Sequence, residues 1–316
     1  MIDFVGKRGW YFIFSLLVLV PGLISLAILP GLRPGIDFSS GTALTLRFEQ
    51  PVQTGELRSA IGDLGHHEAI IQESAENTFL VRTAPLREEV RDESGAVTQP
   101  GEREELVQAL QGRFGTVEVL DASTVSPAIA ADIIRNSALS VLVAMAGILI
   151  YIWWAFRHLA KPLLYAVAAI IALAHDVLIT LGIYSILGHI FGLEVDALFI
   201  TALLTVIGFS VHDSIVVFDR IRENARRHSG LPFPEIVNHS LLQTVARSLN
   251  TSLTAVLMLL ALLLFGGVTI RSFVLVLLIG IISGTYSSIF TASQLLVAWE
   301  EGDFRRWFGR GRGRVQ

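Results

Sequence analysis

Cysteine is missing altogether, which excludes a disulfide framework and any thiolate metal site. Charge is scarce too: Asp, Glu, Lys and Arg make up 16% of the residues, where a soluble protein carries about a quarter. The 24 basic and 28 acidic side chains leave a net charge of −4, too slight a bias to indicate nucleic-acid binding. There is no phosphate-binding Gly-rich loop, no His cluster at metal spacing and no nucleophile elbow. Hydrolase and ATPase readings therefore have no residues to stand on, and neither catalytic residues, a metal nor an organic cofactor is expected. What is abundant is apolar: 52% of the 316 residues are hydrophobic, with a mean hydropathy of +0.60. The composition is that of a membrane protein.

Apolar runs of about 18–26 residues are long enough to cross a bilayer. Six qualify: residues 10–29, 137–156, 162–187, 197–218, 241–265 and 273–299. The first is too long for the apolar core of a secretion signal, contains Pro21 and Gly22, and lacks a small-residue cleavage site before Arg33; it reads as a retained anchor. Basic residues mark one side of the membrane. Lys7 and Arg8 precede span one, Arg157 and Lys161 join spans two and three, and Arg220, Arg222, Arg226 and Arg227 follow span four. Five more arginines follow span six, whereas the opposite loops hold only Arg271. Both termini are expected on the cytoplasmic side of a bacterial inner membrane.

Four regions follow: residues 1–30 as N-terminus and first span, 31–136 as an extracytoplasmic domain, 137–299 as a five-span bundle, and 300–316 as a basic cytoplasmic tail. Within the polar second region, residues 42–48 alternate as a strand and 54–64 have helical spacing. Residues 69–73 and 78–83 read as a hairpin, 102–114 as a second amphipathic helix and 117–122 as a last strand. The order β-α-β-β-α-β predicts an α+β, ferredoxin-like domain. Residues 87–101 are expected to be a mobile loop, and His66-His67 a surface turn.

Two charges interrupt the spans. Asp213 lies within span four and Arg247 just inside span five. Each costs at least about 2.5–3.5 kcal/mol in hydrocarbon unless paired or hydrated. Counted from the cytoplasmic ends, both sit about 9 Å deep at 1.5 Å per residue, so a pair is expected. Thr201, Thr205, Gly208 and His212 recur at helical spacing on span four; Thr244, Arg247 or Ser248, Thr251 and Thr254 do so on span five. Span three contributes Asp176, Thr180 and Tyr184 on one side, with His175 adjacent. Asp176 is expected about 10 Å further out than Asp213. Candidate proton-coupling residues are therefore Asp213, Arg247, Asp176 and His212, with Thr205, Thr251 and Thr254 lining a polar pathway. A buried ion pair that only fixes packing is the competing reading. Gly280 and Gly284 form a small-residue face on span six, directed at another subunit or a neighbouring span.

The stretches GIDFSSG at 35–41, AHD at 174–176, VDALFITALLTVIGFSVHDSIVVFDRIREN at 195–224, NHSLLQTVARSLNTSLT at 238–254, and residues 265–288 resemble the SecD/SecF family of protein-export subunits. The resemblance covers nearly the whole chain. It implies half of a resistance–nodulation–division transporter: six spans with a large outer domain after the first. It implies as partners a SecD-like subunit, the SecYEG translocon, the translocating preprotein, YajC and membrane lipids, and as coupling ion H⁺, with Na⁺ the alternative. In the family the span-four Asp and span-five Arg are implicated in proton transport, which maps onto Asp213 and Arg247. The chain departs from the usual pattern at Ser40, where a second glycine is common, and at His212 and Ser214, where Asn and Thr are common. A half-size transporter of lipids or small molecules, and a non-conducting translocon scaffold, remain alternatives.

Overall fold

A computed structural model describes residues 3–303, apart from Leu29, Glu88, 92–96, Ala160, Ser229 and 268–269. Residues 304–316 of the basic tail, and Glu88 and 92–96 of the 87–101 insert, thus lie outside the described residues. The chain divides into two compact units, one of Pro34–Ser137 and one of the remainder.

The smaller unit is built on an antiparallel sheet covered by two amphipathic helices. Its strands are β1 (Gly41–Phe48), β2 (Ile70–Ala75), β3 (Thr78–Thr83) and β4 (Val117–Val125), and its helices α1 (Thr54–Asp63) and α2 (Glu102–Phe114). The spatial order is β2-β3-β1-β4. The first strand alternates so that Leu44, Leu46 and Phe48 point into a core shared with Leu57, Ile61, Leu106 and Leu110 of the helices. Strand β4 lies at the edge and buries only Val117 and Val125. It continues three residues past the expected 122, because the ladder with β1 resumes beyond a register shift at Thr45/Leu46. Part of the expected loop is ordered: Val90–Arg91 pairs with Val97–Gln99. In the expected His66-His67 turn, His67 is exposed and His66 is half-buried. Its side chain is 11% exposed, because Thr83 and Glu102 close over the ring at 3.1 and 3.5 Å.

The larger unit holds six helices long and apolar enough to cross a membrane, counted among the described residues: Arg8–Ala27, Pro127–Ala155, Pro162–Phe191, Ala197–Arg227, Phe233–Phe265 and Arg271–Glu300. Spans two to five run beyond the apolar runs because polar turns continue the same helices. Pro232 stands immediately before Phe233, and Pro234 occupies the first turn, where its missing N–H costs nothing. Spans three, four and six form the interior, while one, two and five present large apolar side chains such as Leu17, Leu142 and Leu257 outward. Asp196 caps span four by accepting from the Phe199 amide at 2.7 Å. At the basic ends, Arg8 meets Asp303 at 2.5 Å and Glu301 at 2.9 Å, and Lys161 meets Glu300 at 2.6 Å. These pairs tie the starts of spans one and three to the end of span six.

Two helix crossings depend on absent side chains. A Cβ on Gly22 would lie 2.9 Å from the Gly182 Cα, and one on Gly182 would lie 2.6 Å from the Gly22 Cα, so spans one and three touch backbone to backbone. On span six, a Cβ on Gly280 would stand 2.2 Å from Val206 Cγ2, and one on Gly284 would stand 3.0 Å from Ser210 Cβ. The Gly280/Gly284 face therefore packs on span four of the same chain. Replacing Gly182 by Leu is expected to lower unfolding stability by about 1–3 kcal/mol, read as a lower thermal midpoint in detergent. An unchanged midpoint would mean that the crossing is looser than described.

Candidate functional site: two buried carboxylates joined by serines

Asp176 is 1% exposed in the middle of span three. Two other helices meet its carboxylate with hydroxyls. Ser210 of span four donates to Oδ2 at 2.6 Å, Ser287 of span six to Oδ2 at 2.5 Å, and Ser283 of span six to Oδ1 at 3.0 Å. The His175 Nδ1 stands 3.0 Å from Oδ1. Thr180 donates to the Asp176 backbone carbonyl at 2.7 Å, and Tyr184 donates to the Glu194 carbonyl at 2.7 Å. Both are buried on the same side of span three as Asp176.

Asp213 is 5% exposed and has a sparser shell. Ser248 of span five donates to Oδ1 at 3.0 Å and Ser288 of span six to Oδ2 at 3.3 Å. Successive residues of span six therefore serve the two carboxylates, Ser287 on Asp176 and Ser288 on Asp213. The helix changes character here: Ser288–Ala292 is a π-helical segment, a form of local widening often found at functional sites. One turn of span four separates Ser210 from Asp213, about 4.5 Å of rise. The two carboxylates are thus closer in depth than the anticipated 10 Å. Span four continues as helix to Arg227, so the end of its apolar run does not fix the depth of Asp213.

Asp213 and Arg247 are not brought together. Among the described residues neither makes a side-chain ion pair, and Arg247 is exposed on the bundle surface. Helical rotation explains this: Thr244, Ser248 and Ser252 share the inward stripe of span five, which leaves Arg247 about 100° round the axis. The same geometry displaces the other polar candidates. Thr205, Thr251, Thr254 and His212 are all exposed. The three threonines turn their hydroxyls back onto carbonyls four residues earlier, at 2.8, 3.0 and 2.7 Å. The hydroxyls that reach the two carboxylates belong to serines instead. Ser248, the alternative to Arg247 on the polar face of span five, is the residue of the two that turns inward, whereas Ser210, at i−3 from Asp213, lies outside the residues that the sequence singles out.

A polytopic helical membrane protein with paired carboxylates sealed inside its spans is the class these observations define. Residues 105–302 match the family described as Protein export membrane protein SecD/SecF, C-terminal, and residues 26–52 match the SecD/SecF GG motif. The chain belongs to the SecD/SecF family. It is 50% identical over 316 residues to the protein translocase subunit SecF of Thermobaculum terrenum, covering 98% of both chains. It is 42% identical over 277 residues to the protein translocase subunit SecDF of Thermus thermophilus, covering 85% of this chain and 35% of that one. The crystal structure of SecDF from the same organism, described as a translocon-associated membrane protein, superposes with a TM-score of 0.80 at 39% identity. That alignment covers 95% of this chain, which spans 39% of the SecDF chain.

Removing the Asp176 carboxylate should strand three hydroxyls and an imidazole in the interior. At about 1–3 kcal/mol for each buried group left unpaired, Asp176→Ala is expected to unfold the detergent-solubilised protein far more readily than Asp176→Asn, which keeps an acceptor oxygen. Denaturant midpoints compare the two; equal midpoints would refute the serine cage.

Proposed function

We propose that this chain serves in Sec protein export as the SecF-type subunit, and that with a SecD-like subunit it couples proton movement to preprotein translocation and release at SecYEG. The export role rests on relatives named as translocase subunits along the full length. The SecD-like partner rests on SecDF relatives in which a chain like this one makes up 35–39% of a longer polypeptide. Basic residues clustered at alternate span ends support cytoplasmic termini in a bacterial inner membrane. The order β-α-β-β-α-β, with each outer strand of the sheet reached across an intervening one, supports reading the smaller unit as a ferredoxin-like extracytoplasmic domain.

The single observation that carries the proton reading is the shell of Asp213. It consists of two hydroxyls, one residue away from a cation that points elsewhere. A hydroxyl both donates and accepts, so Ser248 and Ser288 satisfy an ionised carboxylate and, after rotation, a protonated one. A fixed cation in their place would hold the group ionised. Asp213 is thus free to alternate, and the Ser288–Ser287 step offers Asp176 as a second proton station. Arg247 and His212 lie on outward sides of spans five and four. An arginine facing lipid at mid-span is costly, so we assign that side to contact with the SecD-like half. A rearrangement there that carries the Arg247 charge towards Asp213 would expel its proton.

Gradient-driven preprotein release from membrane vesicles tests the coupling. Asp213→Asn and Arg247→Met are each expected to reduce it at least tenfold while the complex still assembles. Full release with both variants would leave only a scaffold role.

A further inference from the structure

Gln294 is 0% exposed in the last third of span six, and neither its Nε2 nor its Oε1 has a hydrogen-bond partner among the described residues. Three residues earlier, the Thr291 hydroxyl is also buried and without a partner. Such atoms cost about 1–3 kcal/mol each when left unpaired, and the cost is not relieved by lipid in a membrane. Elsewhere in the interior the same helix satisfies its polar groups: Ser283, Ser287 and Ser288 reach carboxylates, and Thr285 donates to Ser252 at 2.5 Å. On span six the unpaired atoms are confined to the stretch just past the Asp213 contact; in the other spans only His175 Nε2 and His189 Nε2 share that state among the described residues.

Its position is specific. Ser288 touches Asp213, Thr291 follows at i+3 within the π-helical segment, and Gln294 at i+6, about 9 Å beyond Ser288. Glu301, seven residues further on and about 10 Å away by the same rise, lines a cleft of about 600 Å³ at the basic ends of the spans, together with Arg8, Asn224, His228, Glu235 and His239. Polar groups on span six thus run from the carboxylate to Gln294 and resume at Glu300 and Glu301 beside an open cleft. An acceptor, a donor and a hydroxyl within one turn match the roughly three hydrogen bonds of a typical buried water.

We propose that Thr291 and Gln294 hold internal water and form the cytoplasmic arm by which protons leave Asp213 for the Glu301 cleft. This rests on the proton-coupling reading and on the orientation proposed above. Gln294 acts as a positioning residue: it neither gains nor loses a proton, but fixes the water that relays one through the Ser288–Thr291 side of the helix. A packing role predicts the opposite of this proposal for Gln294→Leu. Removing two unpaired buried atoms would then be neutral or stabilising and leave transport intact.

The test uses the full chain with its SecD-like partner in proteoliposomes, with proton flux under an imposed gradient read by an entrapped pH dye. Gln294→Leu and the isosteric Thr291→Val are expected to cut flux at least tenfold with an unchanged or higher thermal midpoint, and Gln294→Asn to recover part of it. Wild-type flux in both Gln294→Leu and Thr291→Val, alongside loss in Asp213→Asn, would overturn this arm while sparing the coupling reading. Wild-type flux in Asp213→Asn would instead sink the coupling reading. A high-resolution map of the wild-type complex decides the site independently of flux or variant folding: water density within hydrogen-bond distance of Gln294 supports it, and a dry amide refutes it.

Discussion

Burying the Asp176 carboxylate constrains more of this bundle than any other single event. A carboxylate at 1% exposure cannot be left to the surrounding apolar residues, since desolvation without hydrogen bonds is prohibitive. The answer is three serines from two other helices. Each must arrive at the right height and rotation, so the requirement fixes how spans three, four and six meet. The glycines of span six follow from the same demand. Ser283 and Ser287 reach the carboxylate only if the helix lies close to span four, and Gly280 and Gly284 permit that approach against Val206 and Ser210. Small residues and hydroxyls are then one solution, since both shorten the distance between helices that lipid would not press together.

The second carboxylate inherits its surroundings from the first. With Ser287 committed to Asp176, the next residue in the chain is turned towards Asp213, and the π-helical segment begins there. Widening the helix by part of a residue per turn changes which side chains face inward over the following stretch. Thr291 and Gln294 lie in the interior along this stretch, where an apolar span would more usually present hydrocarbon.

Much of the architecture was legible from the residues. Six apolar runs, the alternation of β1 and the helical spacing of α1 and α2 report burial, and burial is what those patterns encode. Asp176 with Thr180 and Tyr184 was legible for the same reason, being a stripe at i, i+4, i+8. The Asp213–Arg247 pairing was not. Depth along a helix can be counted in residues, but rotation about its axis requires knowing which stripe faces in. On span five the stripe of Thr244, Ser248 and Ser252 and that of Arg247, Thr251 and Thr254 differ by one residue and are both polar. Opposite charges at equal depth made the wrong stripe attractive. The Gly22–Gly182 contact was hidden for a different reason: it joins two distant helices through groups that are not there.

That contact has a mechanical side. Helices usually interlock, ridge into groove, so that one advances along another in steps of about a turn. Where Gly22 faces Gly182 there are no ridges to climb. Axial position is held away from the crossing, by Ser25 with Ser185 of span three at 2.8 Å, by Tyr286 of span six with the Tyr11 carbonyl at 2.8 Å, and by the Arg8 pairs with Glu301 and Asp303. Span one thus rests on span three along a smooth seam and is latched towards its ends. Resistance to sliding therefore lies at the latches and not at the crossing itself.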